Sequence, residues 1–251
     1  GLNMRVLKFR LSGETAFFKK PDVNTYFYFT YGHLHKIALL GLFGAILGYG
    51  GYAQQKKDEM FPAFYERLKN LQLSVVPIGA VGGVFPKKIQ VFNNSVGYAS
   101  QEQGGNLVVR EQWLENPAWD IYIQVACEEC EKLADYLNIR KSIFIPYLGK
   151  NDHLASISDV EIFSDVIRYE QPERLDSLFL KQDFAIHFPD YDDYDEDEED
   201  MNPYKYEEKL PVALNAQTNL YEVKTFVLTN MKVSERKKVA YSVGGRILTF
   251  Y

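Results

Sequence analysis

KIQVFNNSVGYASQEQGGNLVVREQ, residues 88–112, is the stretch on which the reading of this chain turns. Its two ends, Lys88–Phe92 and Leu107–Gln112, read as strands. The 14 residues between them, Asn93–Asn106, are polar and contain Gly97, Gly104 and Gly105. A hairpin tip of that length is functional or disordered, since ordinary hairpins close in about two to five residues. Basic side chains gather around it. Lys87 and Lys88 stand at its base and Arg110 on its return strand, while Lys19 and Lys20 lie in the first loop and Lys150 in YLGK. Phe92, Tyr98 and Trp113 accompany them, and such rings stack on unpaired bases.

Outward from the hairpin the elements fall into an order. Arg5–Leu11 alternates, with Leu7, Phe9 and Leu11 on one face and Lys8 and Arg10 on the other. The aromatic stretch TYFYFTY leads into His33–Tyr52, the most apolar segment, and Glu59–Leu71 reads as an amphipathic helix interrupted early by Pro62. A strand is expected within Leu73–Phe85. After the hairpin and an Asn116-Pro117 turn come a strand at Trp119–Val125, a helix at Ala126–Asn138 and a strand at Ser142–Leu148. The order is close to the βαββαβ of a ferredoxin-like (RRM-like) domain, an α+β fold covering residues 4–150. Residues 151–251 read as a mostly β C-terminal part, with last strands at Leu220–Leu228 and Val239–Tyr251.

The totals describe an ordinary globular chain of 251 residues, 46% hydrophobic and 25% charged. Two cysteines exclude a disulfide-stapled scaffold. The net charge of −6 is unevenly spread: residues 1–150 hold 17 Lys/Arg against 13 Asp/Glu, and residues 151–251 hold 11 against 21. DYDDYDEDEED at 190–200 supplies nine of those acids, and without it the chain stands at +3. Such a block is expected to be a solvated, disordered loop, or an acidic arm that repels stray RNA or docks a basic partner. Met4 opens directly into the strand-like RVLKFRL, so no secretory signal is read and a cytoplasmic location is expected. IALLGLFGAILGYGGYA at 37–53 has 17 residues and five glycines, too short and too broken for a membrane span of about 20. Gly41, Gly44 and Gly48 fall on one helical face, where a sheet or ligand backbone is expected to approach closely, and the N-terminus of that helix could cradle a phosphate.

Motifs of chemistry are sparse. Cys127 and Cys130 form a lone CxxC, with no second pair to complete a zinc site, and Cys130 falls in an apolar stripe with Ala126, Leu133, Ala134 and Leu137. No metal or cofactor is expected. His33 and His35 lie close to Tyr31, a trio that could perform metal-independent acid–base cleavage of RNA, or that packs and caps.

Four blocks carry a resemblance. FFKKPDVN at 17–24, TYGHLHKIALLGLFGAILGYGGY at 30–52, REQWLENPAWDIYI at 110–123 and IPYLGKNDHLASISDV at 145–160 look like the blocks of the CRISPR-associated Cas-five family, in matching order and spacing. The chain most resembles the type I-B branch. The resemblance implies a repeat-associated (RAMP) protein with a ferredoxin-like palm and a β-hairpin thumb at about residues 87–113. It further implies a non-catalytic Cascade subunit that binds the 5′ handle of the crRNA and caps one end of the effector complex in antiviral defence. Its expected partners are the crRNA, the Cascade backbone subunit, the large subunit and, through the complex, target DNA. Lys19, Lys20, Lys87, Lys88, Asn93, Asn94, Arg110 and Gln112 become candidate RNA contacts. The type I-C branch cuts precursor RNA with a Tyr, a Lys and a His, the Lys-His pair lying on the strand that returns from the thumb. Here that region has Val109-Arg110, and no His occurs between His35 and His153. Two other readings stand beside this one: a precursor-crRNA endoribonuclease using Tyr31, His33 and His35, and a protein-interaction module working through residues 190–200.

Overall fold

The structure, a computed structural model, describes residues 3–22, 26–95, 106–188 and 202–251. Strand β1 (Val6–Ser12) buries Leu7, Phe9 and Leu11 and turns Lys8 and Arg10 to the opposite face, as its alternation requires. Two short strands, β2 (Thr15–Ala16) and β3 (Phe27–Tyr28), lead to α1 (Lys36–Leu47), α2 (Ala63–Leu68) and β4 (Leu73–Pro77). The hairpin strands are β5 (Lys87–Ser95) and β6 (Asn106–Glu115), followed by β7 (Ala118–Gln124), α3 (Glu128–Asn138) and β8 (Ser156–Phe163). An antiparallel sheet forms from β4, β7, β1 and β8, side by side in that order.

The last of these strands corrects the sequence reading. Ser142–Leu148, expected as a strand, is irregular, and Ile143, Phe144, Ile145 and Tyr147 in it are exposed. The backbone N–H groups of Ile143 and Phe144 donate to the carbonyls of Ile46 and Ala45 at 3.0 and 2.9 Å, satisfying carbonyls that the end of α1 leaves open. The sheet takes Ser156–Phe163 instead, so it runs past the boundary expected at residue 150.

The C-terminal part is mostly β: β9 (Ile167–Tyr169), β10 (Phe179–Leu180), β11 (Ala185–Ile186), β12 (Lys205–Leu214), β13 (Tyr221–Thr229), β14 (Val233–Ser234), β15 (Ala240–Val243) and β16 (Arg246–Leu248). The expected final strand, Val239–Tyr251, is split by Gly244 and Gly245, whose φ values of 54° and 83° suit glycine in a tight turn. These strands enclose a small core of their own, with Phe179, Phe184, Val227 and Val233, and also pack on the first part of the chain. Leu210 and Leu214 of β12 join the main core, and Val243, Leu248 and Phe250 pack on Val6, Val76 and Tyr122 across the other face of the sheet. On that second face Asp120, fully buried, accepts two hydrogen bonds from Arg10 (2.9 and 3.1 Å) and one from Arg246, with Lys8 at 3.9 Å.

Helix α1 has no polar face, because β12 covers the side that the sheet, α2 and α3 leave open. Its glycines do different jobs. A Cβ at Gly44 would stand 2.6 Å from Phe64 Cβ of α2, so glycine permits that contact. Gly48 ends the helix at φ 84°, and nothing lies within 4 Å of a Cβ at Gly41. The approach expected from a sheet or ligand backbone is made instead by side chains, Phe64 at Gly44 and Ile143 at Gly48. Among the described residues no helix is long and apolar enough to cross a membrane.

Candidate nucleic-acid interface

Strand β6 is the spine of a second sheet. β5 runs antiparallel along one edge, from Lys87 opposite Leu114 to Ser95 opposite Asn106. Along the other edge lie β2, with Thr15 opposite Glu115, and β3, which pairs in parallel with Phe27 opposite Arg110 and Tyr28 opposite Glu111. The Lys20 N–H donates to the Phe29 carbonyl (2.8 Å) and the Tyr31 N–H to the Phe18 carbonyl (2.8 Å), so the Lys19–Lys20 segment is tied beside the hairpin. Two groups of basic residues far apart in sequence thus lie in and beside one sheet.

Opposed residues share a face. One face carries Lys88 with Trp113, Gln90 with Glu111 and Phe92 with Val109; the backbone of Asn94 pairs opposite Leu107. The other carries Lys87 with Leu114, Ile89 with Gln112, Val91 with Arg110 and Asn93 with Val108. The candidate contacts are therefore split between two surfaces of different chemistry.

The first surface is aromatic and cationic. The Trp113 Nε1–H donates to Glu111 Oε1 at 3.2 Å, and Lys150 Nζ donates to Glu111 Oε2 at 2.8 Å, so a buried carboxylate orients the indole. Lys88 Nζ lies 5.5 Å from the Trp113 ring centre, and the Phe92 ring 6.0 Å from it. His153 stands perpendicular to the indole with ring centres 4.5 Å apart, and its Nδ1 is 2.6 Å from the Thr15 hydroxyl. Burial pushes the His153 pKa down, against the pull of Asp152 and Glu111, and Nε2 is buried without a hydrogen-bond partner among the described residues. Lys19 Nζ sits 4.1 Å from the centre of the Tyr28 ring. What places Lys150 and His153 here is Gly149: at φ 90° it lets the loop pass so close to β2 that a Cβ would lie 1.7 Å from the Phe17 carbonyl oxygen.

The second surface exposes Ile89, Val91 and Val108 among Lys87, Asn93 and Arg110, all three of which are open to solvent. Gln112 is committed differently, its Oε1 accepting from the Thr30 N–H at 3.3 Å. Lys20 is held by Glu208 at 3.6 Å.

All three of Tyr31, His33 and His35 lie inside the protein; the Tyr31 and His35 rings meet, with centres 5.2 Å apart, while His33 packs on Phe85 and Tyr206. His33 is fully buried; its Nδ1 accepts from Trp119 Nε1 (3.1 Å), which leaves Nε2–H to donate to the Gly83 carbonyl (2.6 Å). Burial pulls its pKa down to about 4. His35 caps α1, its Nδ1 accepting from the Ala38 N–H at 3.1 Å, and burial takes its pKa to about 3. The Tyr31 hydroxyl is pushed up to about 12 by burial, with Tyr221 and Glu208 adding to it. The trio fastens the hairpin base and β12 to the sheet, which is the packing and capping alternative. The phosphate cradle expected at the start of α1 has its Ala38 N–H already capped.

Sequence reasoning missed Glu111 and His153, because the hydrogen bonds that matter join residues 39 and 138 positions apart; it read Tyr28 only as part of an aromatic stretch. The pair Cys127 and Cys130 opens α3, with Cys130 in a buried stripe with Leu133, Ala134 and Leu137, whereas Ala126 is exposed. Tyr98 and the acidic run at 190–200 lie outside the described residues.

No family model matches this chain, and no curated protein matches it. Among solved structures it is similar to a chain of a CRISPR RNA-guided surveillance complex, at 12% identity and a TM-score of 0.50 over 91% of each chain. It is also similar to a CRISPR protein from Archaeoglobus fulgidus (11% identity, TM-score 0.49, 98% of each chain). A third likeness is to a chain of the Type III-B Cmr-beta complex bound to cognate target RNA and AMPPnP (10% identity, TM-score 0.47, 91% of this chain and 85% of that one). At such identities the likeness is one of fold: a mixed α+β chain, mostly β with few helices, shaped over nearly its whole length like a chain of the surveillance complex.

Proposed function

We propose that this protein is an RNA-gripping subunit of a CRISPR effector complex, of the Cas-five kind and nearest the type I-B branch. In this reading the β4-β7-β1-β8 sheet with α1 and α3 is a ferredoxin-like palm and the β5–β6 hairpin its thumb. The hairpin holds the 5′ handle of the crRNA at one end of the complex without cutting it. The complex's backbone and large subunits are its neighbours, and target DNA reaches it only through the assembly.

The observation that carries this reading is the aromatic face of the hairpin, where Lys19, Lys88 and Lys150 flank Tyr28, Phe92 and Trp113. Ammonium groups meet phosphates and supply affinity, while fixed rings stack unpaired bases and set their register. The fold shared with a chain of a surveillance complex supports the same assignment. Burial of His33 and His35, each with at least one ring nitrogen in a structural bond, supports holding over cleavage.

The test is a binding titration of the purified chain with repeat-derived handle RNA at two salt concentrations, with the RNA inspected on a gel afterwards. Intact RNA and salt-sensitive binding are expected. The triple variant Lys19→Ala/Lys88→Ala/Lys150→Ala should bind more weakly than Lys87→Ala/Arg110→Ala. Equal binding by wild type and both variants would overturn the assignment to the hairpin.

A further inference from the structure

The two cysteines of the chain meet at the start of α3. Cys127 is the N-cap residue, extended at φ −149° and ψ 167°, and Cys130 lies in the first turn. The extended cap lets the two side chains converge, with their sulfurs 2.8 Å apart. A disulfide bond is about 2.05 Å long, so a shift of roughly 0.8 Å separates this contact from a covalent one.

Access divides the pair. Cys127 is exposed, whereas Cys130 is buried in the stripe with Leu133, Ala134 and Leu137. Burial, followed by the hydrogen bond with Cys127, pushes the Cys130 thiol up to about 12, so Cys130 is the poorer nucleophile toward solvent. Cys127 stands at the positive end of α3, which favours a thiolate. Glu128, Glu129 and Glu131 of the same turn act against that, but two of them are engaged elsewhere. Glu131 pairs with Arg5, while Glu129 accepts from the Tyr49 hydroxyl and lies 3.6 Å from Arg67. The Cys127 side chain makes no capping bond to the helix, so its sulfur is not tied to the backbone there.

We propose that Cys127 and Cys130 form a reversible thiol–disulfide pair that is oxidised by a low-molecular-weight disulfide. The Cys127 thiolate attacks one sulfur of the incoming disulfide, which forms a mixed disulfide and expels one thiolate. That thiolate takes the Cys130 proton. The Cys130 sulfur then attacks Cys127 Sγ, closing the bond within the chain and releasing the second small thiol. Two protein thiols are oxidised, and one small disulfide is reduced to two thiols. The pair lies on α3, apart from the hairpin, and does not depend on the RNA-binding reading.

The test incubates the reduced full chain with excess oxidised glutathione, quenches it in acid, and measures intact mass and free thiols. Wild type should become lighter by two hydrogen atoms, lose both thiols, carry no glutathione and recover both thiols in dithiothreitol. Cys130→Ala lacks the resolving sulfur and should hold one glutathione on Cys127. Cys127→Ser leaves only the buried thiol and should react many-fold more slowly than wild type. If Cys130→Ala folds poorly, wild type and Cys127→Ser alone decide. The proposal is overturned if wild type keeps both thiols, retains glutathione, or links two chains on a non-reducing gel. Reaction of Cys127→Ser as fast as wild type would overturn it as well.

Discussion

Replacing Asp120 by Asn keeps the shape of a buried side chain and removes the charge on which three cations converge. Asp120 lies on β7, Arg10 and Lys8 on β1 and Arg246 on β16, so the cluster ties the C-terminal strands to the sheet. Breaking a buried pair by deleting one partner costs about 3–5 kcal/mol. Here the side chains of Arg10 and Arg246 are 36% and 31% exposed and regain water when released, which places the loss at the lower end, about 3 kcal/mol. For a chain of this size that corresponds to a melting temperature lower by about 6–12 °C. Acid sharpens the test. Burial alone would raise the Asp120 pKa, but hydrogen bonds from Arg10 and Arg246, helped by Lys8, hold it below the usual carboxylate range. Its stabilisation is therefore complete above the unfolded value of about 3.9 and is lost as pH falls through the lower folded one. Below about pH 4 wild type should converge on the Asn variant. Thermal melts of both proteins between neutral and acid pH measure this. A variant melting within about 2 °C of wild type, with the same acid profile, would refute the cluster's role.

His33 and His35 predict a second pH response. Folded values of about 4 and about 3 lie below the unfolded value of about 6.5, so the unfolded chain binds protons first as pH drops. Urea midpoints should therefore fall from pH 7 to pH 5, and a flat profile would contradict neutral, buried imidazoles. At the hairpin, Trp113→Ala should cost about 1–3 kcal/mol of RNA affinity, whereas Trp113→Phe keeps a stacking ring and should stay near wild type. Equal affinity of all three proteins in a titration would remove Trp113 from the interface.

Much of the frame was readable from periodicity. Leu7, Phe9 and Leu11 alternate cleanly, and the hairpin's strands sit where their apolar residues recur, extended by a few residues. The misplaced fourth strand shows where that signal fails. Ile143, Phe144 and Ile145 are apolar but exposed, and they close the end of α1, whereas SISDVEIF is a polar edge strand with little burial to announce it. Likewise α1 looked like a helix needing compensation, and only the return of β12 over it explains a helix apolar on every side. At the interface, Lys88 and Trp113 were legible as residue types, but their common face was not. That depends on the register of β5 against β6, and Glu111, His153 and Lys150 reach it through contacts between distant segments.

The most direct test of the central claim is the salt dependence of handle-RNA binding, read as the slope of log K against log salt. Each phosphate contact with a single strand contributes about −0.7 to that slope. Wild type should bind intact RNA with a steep slope, and the Lys19/Lys88/Lys150 triple-alanine variant should be shallower by about 2. No binding, an unchanged slope in the variant, or a discrete cleavage product would contradict a hairpin that grips RNA without cutting it.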